Sequence, residues 1–462
     1  MKLVMKFGGT SVGEGKKIRN VAEIVKQNSN NSIVIVTSAM NGITDQLIGI
    51  VEKARKGESS NAVLDTLQKR HEQAIQDAMT KADVRSKVKQ EVLGLFQRLK
   101  SIVESGTILK ELTPRSKDYI ISFGERLAAP ILAGTLEDLG LRSIYLMGGE
   151  AGIITDDSFG EATPLMDITR QKVKNTLEPI LAKGVVPVLT GFVGATQNGD
   201  ISTIGRGGSD YSATIVGSCI DADEVWIWTD VDGLMTADPN IVKNCRLIPQ
   251  ISYAEAAEMV ILGAKAMHPR ALEPANERSI PIRIKNTFNP TADGTLISKD
   301  ITVKKGEIVK GVATIKDVAL INISGMSMVG MPGTAAKVFN ILGSQGINVI
   351  MISQSISESN ISLLVRRNQL AKGLNALELA LLGRSSVKDI SFEDDVSAIA
   401  VIGAGMKGTH GVASRLFGAV AKKNINVRMI AQGSSELNIS FVVSENDCDE
   451  TIRAVHDEFK LG

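Results

Sequence analysis

Residues 347–365 (INVIMISQSISESNISLLV) and 425–443 (INVRMIAQGSSELNISFVV) align without a gap and agree at 12 of 19 positions. Chance at average composition gives about one or two. The same offset of 78 residues pairs Gly325, Met328, Gly330, Gly333 and Phe339 with Gly403, Met406, Gly408, Gly411 and Phe417. An internal repeat of this strength fixes the architecture of the last third of the chain before any other feature is considered. Each copy reads strand, Gly-rich turn, helix, strand, hairpin, strand, helix, which is the first five elements of a βαββαβ ferredoxin-like module.

The sixth element sets the connectivity. The first copy runs on into VKDISFEDD (387–395), a strand pattern, whereas the second ends at Gly462 directly after its second helix. VKGVATIKD (309–317) stands in front of the first copy at the same offset from VKDISFEDD. The expected arrangement is therefore a first module at 317–393 inserted in a second module built from 308–316 plus 394–462, with residues 308–316 as its edge strand.

Ahead of the repeat, residues 1–300 alternate short apolar runs with amphipathic helices. Lys2 to Lys6, Ile33 to Thr37, Val185 to Thr190 and Glu224 to Thr229 read as strands of the kind buried in parallel sheets. Between the first two, Ile18, Val21, Ala22 and Val25 share one helical face. This alternation predicts an α/β sandwich with a mainly parallel sheet, whose site is built by loops leaving the carboxyl ends of the strands. Residues 44–136 are helical in pattern and read as a long excursion, a lid or substrate-binding subregion. At 462 residues the chain fits about three domains. Lys plus Arg (52) nearly equals Asp plus Glu (51), which gives no electrostatic case for a nucleic-acid partner. Nothing approaches about 18 uninterrupted apolar residues, so no membrane span is expected. Three scattered cysteines (Cys219, Cys245, Cys448) form neither a disulfide framework nor a metal spacing, and with no signal peptide at MKLVMKFGG they suit a cytoplasmic protein.

Two Gly-rich turns carry the chemistry. Lys6-Phe7-Gly8-Gly9-Thr10-Ser11 links the first strand to the first helix, so backbone N–H groups, a helix N-terminus and a lysine suit a phosphate there. The alternative is an ordinary strand-to-helix turn, since this is not GxxxxGK[ST]. Gly205-Arg206-Gly207-Gly208-Ser209-Asp210 opens a second apolar helix and is likewise ready for an anion, with Asp210 as an N-cap and Arg206 as a solvated loop charge being the plainer readings. Thr229-Asp230-Val231-Asp232-Gly233 ends a strand and suits Mg²⁺ or ribose hydroxyls, or a simple turn. Lys265 is weak by itself, and His268 before Pro269 reads as a packed or capping histidine. Glu125 and Arg126 lie in a helical pattern where a solvated face is the plain reading. Gly403-Ala-Gly405-Met-Lys-Gly408 matches GxGxxG, but its copy 78 residues earlier is SGMSMVG and no acid ends the next strand, so it belongs to the repeat and not to a dinucleotide fold.

The ordered set KFGGTSV (6–12), VTSAMNGITD (36–45), SFGER (122–126), GRGGSDYSA (205–213), TDVDG (229–233) and GAKAMHP (263–269) resembles aspartate kinase, of the amino acid kinase superfamily. The repeated modules are similar to the paired ACT domains that follow the catalytic domain there. The resemblance spans nearly the whole chain. No further domain follows Gly462, so forms fused to homoserine dehydrogenase are not expected.

That resemblance implies ATP- and Mg²⁺-dependent phosphorylation of the β-carboxylate of L-aspartate by a catalytic domain at 1–300. It makes Lys6 and Asp210 catalytic, Lys6 neutralising the transferring phosphoryl group and Asp210 orienting it. Gly8 and Gly9 would donate backbone N–H groups to phosphate, and Thr229, Asp230 and Lys265 would hold the nucleotide. Arg206 would clamp the α-carboxylate and Glu125 the α-ammonium, with Ser38, Thr44 and Ser209 lining the aspartate pocket. Mg²⁺ would bridge the nucleotide phosphates without a dedicated protein ligand. Many members read Gly-Ile-Tyr-Thr-Thr-Asp-Pro-Arg where this chain reads Gly233-Leu-Met235-Thr-Ala-Asp238-Pro-Asn240, which implies a weaker grip on ATP. The ACT modules imply feedback by an amino-acid effector, lysine or threonine, near Ser327, Gly333 and Asn348, and a homodimer or homotetramer joined through them. Another amino acid kinase, or a catalytically silent amino-acid sensor, are the competing readings.

Overall fold

The computed structural model describes residues 1–263, 266–301, 308–383 and 387–462. They divide into two compact units, Met1–Leu234 with Pro249–Tyr253 and Lys265–Ile301, and Met235–Ile248 with Ala254–Ala264 and Thr302–Gly462. Within the span 1–300, two segments thus pack with the C-terminal residues.

The first unit runs β1 (Lys2–Phe7), α1 (Gly15–Gln27), β2 (Ser32–Thr37), α2 (Ile43–Arg55), α3 (Asn61–Ala78), α4 (Ala82–Leu109), α5 (Pro114–Ile121), α6 (Phe123–Asp138), β3 (Ser143–Leu146) and β4 (Ile154–Thr155). It continues through α7 (Met166–Ala182), β5 (Val186–Thr190), β6 (Val193–Thr196), β7 (Ile201–Thr203), α8 (Gly208–Cys219), β8 (Glu224–Thr229) and β9 (Gln250–Ser252). After α9 (Tyr253–Ile261), whose body lies in the second unit, come α10 (Leu272–Glu277), β10 (Ile282–Asn286) and β11 (Thr295–Ser298). The main sheet has eight strands in the order β3-β5-β2-β1-β8-β10-β11-β9, parallel throughout except between β10 and β11. A second sheet, β4-β6-β7, has three.

Position, more than shape, matters for function here. The chain leaves β1 toward β2 on one side and returns as β8 on the other, so β1 is the switch point where an open α/β sheet places its ligand. Phe7 is level with both Thr37 and Trp228, and Thr37 with Thr190, so four strands end together and their loops converge. Burial on both faces explains the near-continuous apolar runs in β1 and β2.

The helices between 43 and 138 are not a lid. Leu47 of α2, Leu67 of α3, Phe96 of α4 and Leu127 of α6 join Met5, Phe7 and Ile35 of the sheet in one buried cluster. The helical pattern is right, but its apolar faces are a layer of the core.

The second unit carries the repeat: β12 (Gly311–Ser324), α11 (Thr334–Ser344), β13 (Val349–Gln354), β14 (Asn360–Arg366), α12 (Leu370–Leu381), β15 (Asp389–Ile402), α13 (Val412–Ala421), β16 (Met429–Ala431), β17 (Asn438–Ser444) and α14 (Cys448–Glu458). Its sheet runs β13-β14-β12-β15-β17-β16. β12 and β15 are long antiparallel neighbours, each divided by irregular register after Ile315. Gly311–Ile315 pairs with Ala398–Ile402, while Leu320–Ser324 pairs with Glu393–Asp389 and also with β14.

The offset of 78 persists at the level of single bonds. Lys310 donates its N–H to Ile402 at 2.7 Å and Lys388 donates to Ser324 at 2.8 Å. Gly330 and Gly408 sit at φ 67° and 68°, conformations glycine adopts freely, and give their N–H groups to Glu358 and Glu436 at 2.9 and 2.8 Å. The N–H of the last glycine in the GxGxxG-like loop is therefore taken by a carboxylate of its own module. Two hydrophobic cores match the two copies, one around Ile321, Leu363 and Leu377, the other around Ile399, Phe441 and Ile452. The second core also contains Val309 and Val312, ahead of the first copy, and Ala237, Ile241 and Val242.

Candidate active site

β1 presents Lys6 at the carboxyl end of the sheet, 9% exposed, with its Nζ 2.5 Å from Asp210 Oδ1. Asp210 is the third residue of α8 and not its cap, because Gly207 holds that position at φ 68°. A side chain at Gly207 would also meet His268, whose Cβ would lie 2.1 Å away. Helix α8 can therefore start here only with glycine, and its first turn brings the carboxylate to Lys6. The other Asp210 oxygen accepts from the His268 N–H at 3.1 Å. The His268 ring caps the short turn after it by accepting from Arg270 N, which is the packing role read from the sequence. Burial lowers the imidazole pKa, with Asp210 opposing.

A cavity of about 610 Å³ opens beside this pair. Lys6, Gly9, Ser38, Thr44, Glu125, Arg206, Ser209 and Asp210 all line it. Eight of the site residues named from the sequence thus share one enclosure, drawn from β1, the loop after β2, α2, α6 and the α8 turn. Arg206 is exposed and has no hydrogen bond or ion pair among the described residues. Ser209 packs against Gly191, where an added Cβ would come within 2.8 Å of it.

Glu125 and Arg126 are not a solvated face. Both are buried, Glu125 at 3% exposure. Glu125 Oε1 accepts from Ala39 N at 3.2 Å, and Oε2 is buried without a partner. Burial pushes the Glu125 carboxyl up to about 8 against the bond from Ala39. A buried carboxyl with one oxygen unbonded and no ion pair among the described residues suits a cationic ligand. Arg126 lies over the Phe123 ring at 4.1 Å from its centroid, as a packing residue.

The phosphate turn differs from expectation at one atom. Gly8 gives its N–H to Trp228 O at 3.1 Å, in continuation of the sheet. That group is taken, so Gly8 cannot donate to phosphate as expected of it. The N–H groups of Gly9 and Thr10 make no hydrogen bond among the described residues. With Lys6 alongside, they fit an anion. Thr229 and Asp230 end β8 next to this turn, bonded to each other at 3.2 Å, and do not line the cavity. Lys265 lies outside the described residues. In the second unit, Asn240 gives backbone and side-chain N–H groups to Asp238.

Two residues went unread in the sequence. Thr287, fully buried, donates its N–H to Thr229 O at 2.9 Å, shares a 2.7 Å hydroxyl contact with Ser11 and accepts from Asn20 Nδ2 at 3.0 Å. It pins the phosphate turn to the end of β8. Asp118 on α5 lines the cavity and holds two backbone N–H groups across it. Asp118 left one signal, an acid followed by an apolar pair in the helix that leads into SFGER.

In the second unit a separate cavity of about 290 Å³ is lined by Met328, Gly333, Thr334, Gln354 and Glu358 among others. Gly333 belongs to it; Ser327 and Asn348 are exposed and lie outside its lining. Among the described residues no cluster of three or more His, Cys, Asp or Glu side chains could hold a metal ion, and no helix is long and apolar enough to cross a membrane.

Residues 1–286 match the Amino acid kinase family, and residues 321–381 and 399–459 each match the ACT domain. The chain is 34% identical over 465 residues to the bifunctional aspartokinase/homoserine dehydrogenase 1, chloroplastic, of Zea mays, covering 99% of this chain and 50% of that protein. It spans about half the length of such bifunctional relatives. It is 33% identical over 464 residues to aspartokinase 1, chloroplastic, of Arabidopsis thaliana, covering 99% of this chain and 80% of that one. Among solved structures, E. coli aspartokinase III in complex with aspartate and ADP superposes with a TM-score of 0.83 at 27% identity over 99% of both chains. The same enzyme in complex with lysine and aspartate gives 0.82. By sequence, by fold and by the order of its domains, the chain belongs to the amino acid kinase family and, within it, to the aspartokinases.

Proposed function

We propose that this chain transfers the γ-phosphoryl group of ATP to the β-carboxylate of L-aspartate, giving 4-phospho-L-aspartate, the first step toward lysine, threonine and methionine. The observation that carries this reading is the Lys6–Asp210 pair sharing one cavity with Arg206 and Glu125. Phosphoryl transfer asks for positioning and charge neutralisation, and a carboxylate is already ionised at neutral pH, so no general base is needed. Lys6 meets the charge that builds on the transferring group, and Asp210 keeps the ammonium on target. Arg206, free of internal partners, offers its fork to the α-carboxylate. Glu125 takes the α-ammonium and gives up its proton as it does so. Ser38, Thr44 and Ser209 face the same space and complete the aspartate pocket. The unbonded N–H groups of Gly9 and Thr10 lie at the phosphate turn, and Thr229 and Asp230 hold the nucleoside end. Mg²⁺ would be held by the nucleotide rather than by a dedicated protein ligand and would add charge neutralisation beside Lys6.

Regulation and assembly belong to the same proposal. The C-terminal modules divide as 317–393 and 308–316 plus 394–462, the first inserted in the second. The pairing of Gly311–Ile315 with Ala398–Ile402 and the place of Val312 in the second core support this. An amino-acid effector, lysine or threonine, binds the first module near Gly333. The cavity there and the lysine complex of E. coli aspartokinase III support that reading. The modules join copies of the chain in a homodimer or homotetramer. A cytoplasmic location goes with three unpaired cysteines.

Trapping the product tests the reaction. With ATP, Mg²⁺ and hydroxylamine, aspartate yields its hydroxamate. Product from glutamate alone would favour another amino acid kinase, and none from either would favour an amino-acid sensor.

A further inference from the structure

Among the described residues Arg206 makes no hydrogen bond or ion pair, so its aim depends on the backbone that carries it. That backbone leaves β7 at Thr203, three residues earlier. Thr203 donates its N–H to Asp118 Oδ2 at 2.8 Å and accepts from Ala162 N at 2.9 Å. The same Asp118 oxygen accepts from Gly160 N at 2.9 Å. Asp118 is 1% exposed, lines the cavity, and keeps Oδ1 buried without a partner.

Glu125 repeats this design. α5 and α6 are separated only by Ser122, itself helical at φ −57° and ψ −21°, so residues seven apart share one face at about 10 Å along the axis. Glu125 grips Ala39 N in the loop bearing Ser38, and it too leaves one oxygen buried and unpaired. Each carboxylate thus holds one of the two loops that meet in the cavity. Asp118 spends one oxygen on two backbone N–H groups, where Glu125 spends one on a single N–H, and that difference gives Asp118 the framing part.

Resting on the proposed function, we propose that Asp118 is a positioning residue for the amino-acid substrate, setting the distance between the Arg206 loop and Glu125. An acceptor, more than a charge, is what Asp118 supplies to Thr203 and Gly160.

Asp118→Ala and Asp118→Asn separate the possibilities, with aspartate and ATP varied independently and melting temperatures recorded. Removing the acceptor in Asp118→Ala should raise the aspartate KM about thirtyfold and leave the ATP KM within about twofold. Asp118→Asn keeps an acceptor and should recover most of the loss, to within about fivefold of the parent. An unchanged aspartate KM in Asp118→Ala, with only a lower melting temperature, would overturn the proposal. An Asn variant as impaired as the Ala variant would also overturn it, because the charge would then act on substrate directly. Amide exchange at Thr203 and Gly160 needs no turnover and should accelerate in Asp118→Ala; unchanged exchange counts against the proposal. Should the parent protein fail to phosphorylate aspartate, the reaction assigned above fails, and amide exchange still decides the role of Asp118.

Discussion

Lys6 Nζ and Asp210 Oδ1 lie 2.5 Å apart, with both side chains about nine-tenths buried, although one residue stands next to the end of the first strand and the other in the first turn of the eighth helix. An ammonium held this way cannot swing from the position where phosphoryl charge develops. Lys6→Ala should therefore cut kcat by about a thousandfold or more, while circular dichroism keeps its α/β signature. It also leaves Asp210 buried without its counter-ion, a change worth about 3–5 kcal/mol in comparable sites, so the melting temperature should fall. Full activity in Lys6→Ala would remove this lysine from the mechanism.

Glu125 gives the site a pH dependence. Burial disfavours the anion and pushes its carboxyl up to about 8, so at neutral pH the group is mostly protonated. Pairing with a substrate ammonium expels that proton. The aspartate KM should then fall as pH rises from 6 toward 8 and level off above, whereas Glu125→Gln should bind poorly with a flat profile. Stability runs the opposite way. A raised carboxyl pKa means that the folded state holds a proton the unfolded state has lost, so stability declines as pH rises from about 4.5 to about 8. Thermal melting of Glu125→Gln should lack that decline.

Arg206 is exposed and unpaired, so removing it leaves no buried partner behind. Arg206→Ala should raise the aspartate KM by about a hundredfold through loss of a bidentate carboxylate contact, with an unchanged melting temperature. Steady-state kinetics with an unaltered KM would reassign the residue.

Thr287→Val keeps the backbone bond to Thr229 and deletes the hydroxyl contact with Ser11. Loss of that one buried hydrogen bond should cost about 1 kcal/mol of stability. The phosphate turn would loosen against the end of β8, so the ATP KM should rise several-fold and the aspartate KM should not. Equal effects on both would show that the pin serves the whole unit.

The inserted arrangement of the C-terminal modules is open to hydrogen exchange. Val312 sits in the core of the second copy with Val401 and Phe441. Val312→Asp places an unpaired charge there and should strip protection from β16 and β17 while β13 and β14 keep theirs. Loss confined to β13 and β14 would reverse the assignment of residues 308–316.

The repeat was legible because paired glycines and a constant offset survive in sequence, and Gly330 and Gly408 show why: each must take a left-handed conformation and hand its N–H to a matching glutamate. The two Gly-rich turns were legible because strand, glycine and helix start follow one another locally. What sequence did not disclose depends on long-range backbone partners. The Gly8 N–H is taken by Trp228, and Asp210 is freed from capping by Gly207 and held by His268. Asp118 acts on main-chain N–H groups, and Thr287 on a main-chain oxygen and the Ser11 hydroxyl, all far away in the chain, which no motif records. Residues 44–136 read as an excursion, a lid or substrate-binding subregion, because their apolar stripes do not say which surface they cover.

The central claim is that Lys6, Asp210, Glu125 and Arg206 surround one amino-acid substrate, whose β-carboxylate accepts the phosphoryl group. Phosphorus NMR of the protein turning over ATP, Mg²⁺ and aspartate labelled with ¹⁸O in its β-carboxylate tests this most directly. The account requires a new acyl-phosphate resonance displaced by one bridging ¹⁸O atom. Consumption of ATP with no such resonance, or with an unlabelled bridge, would contradict it.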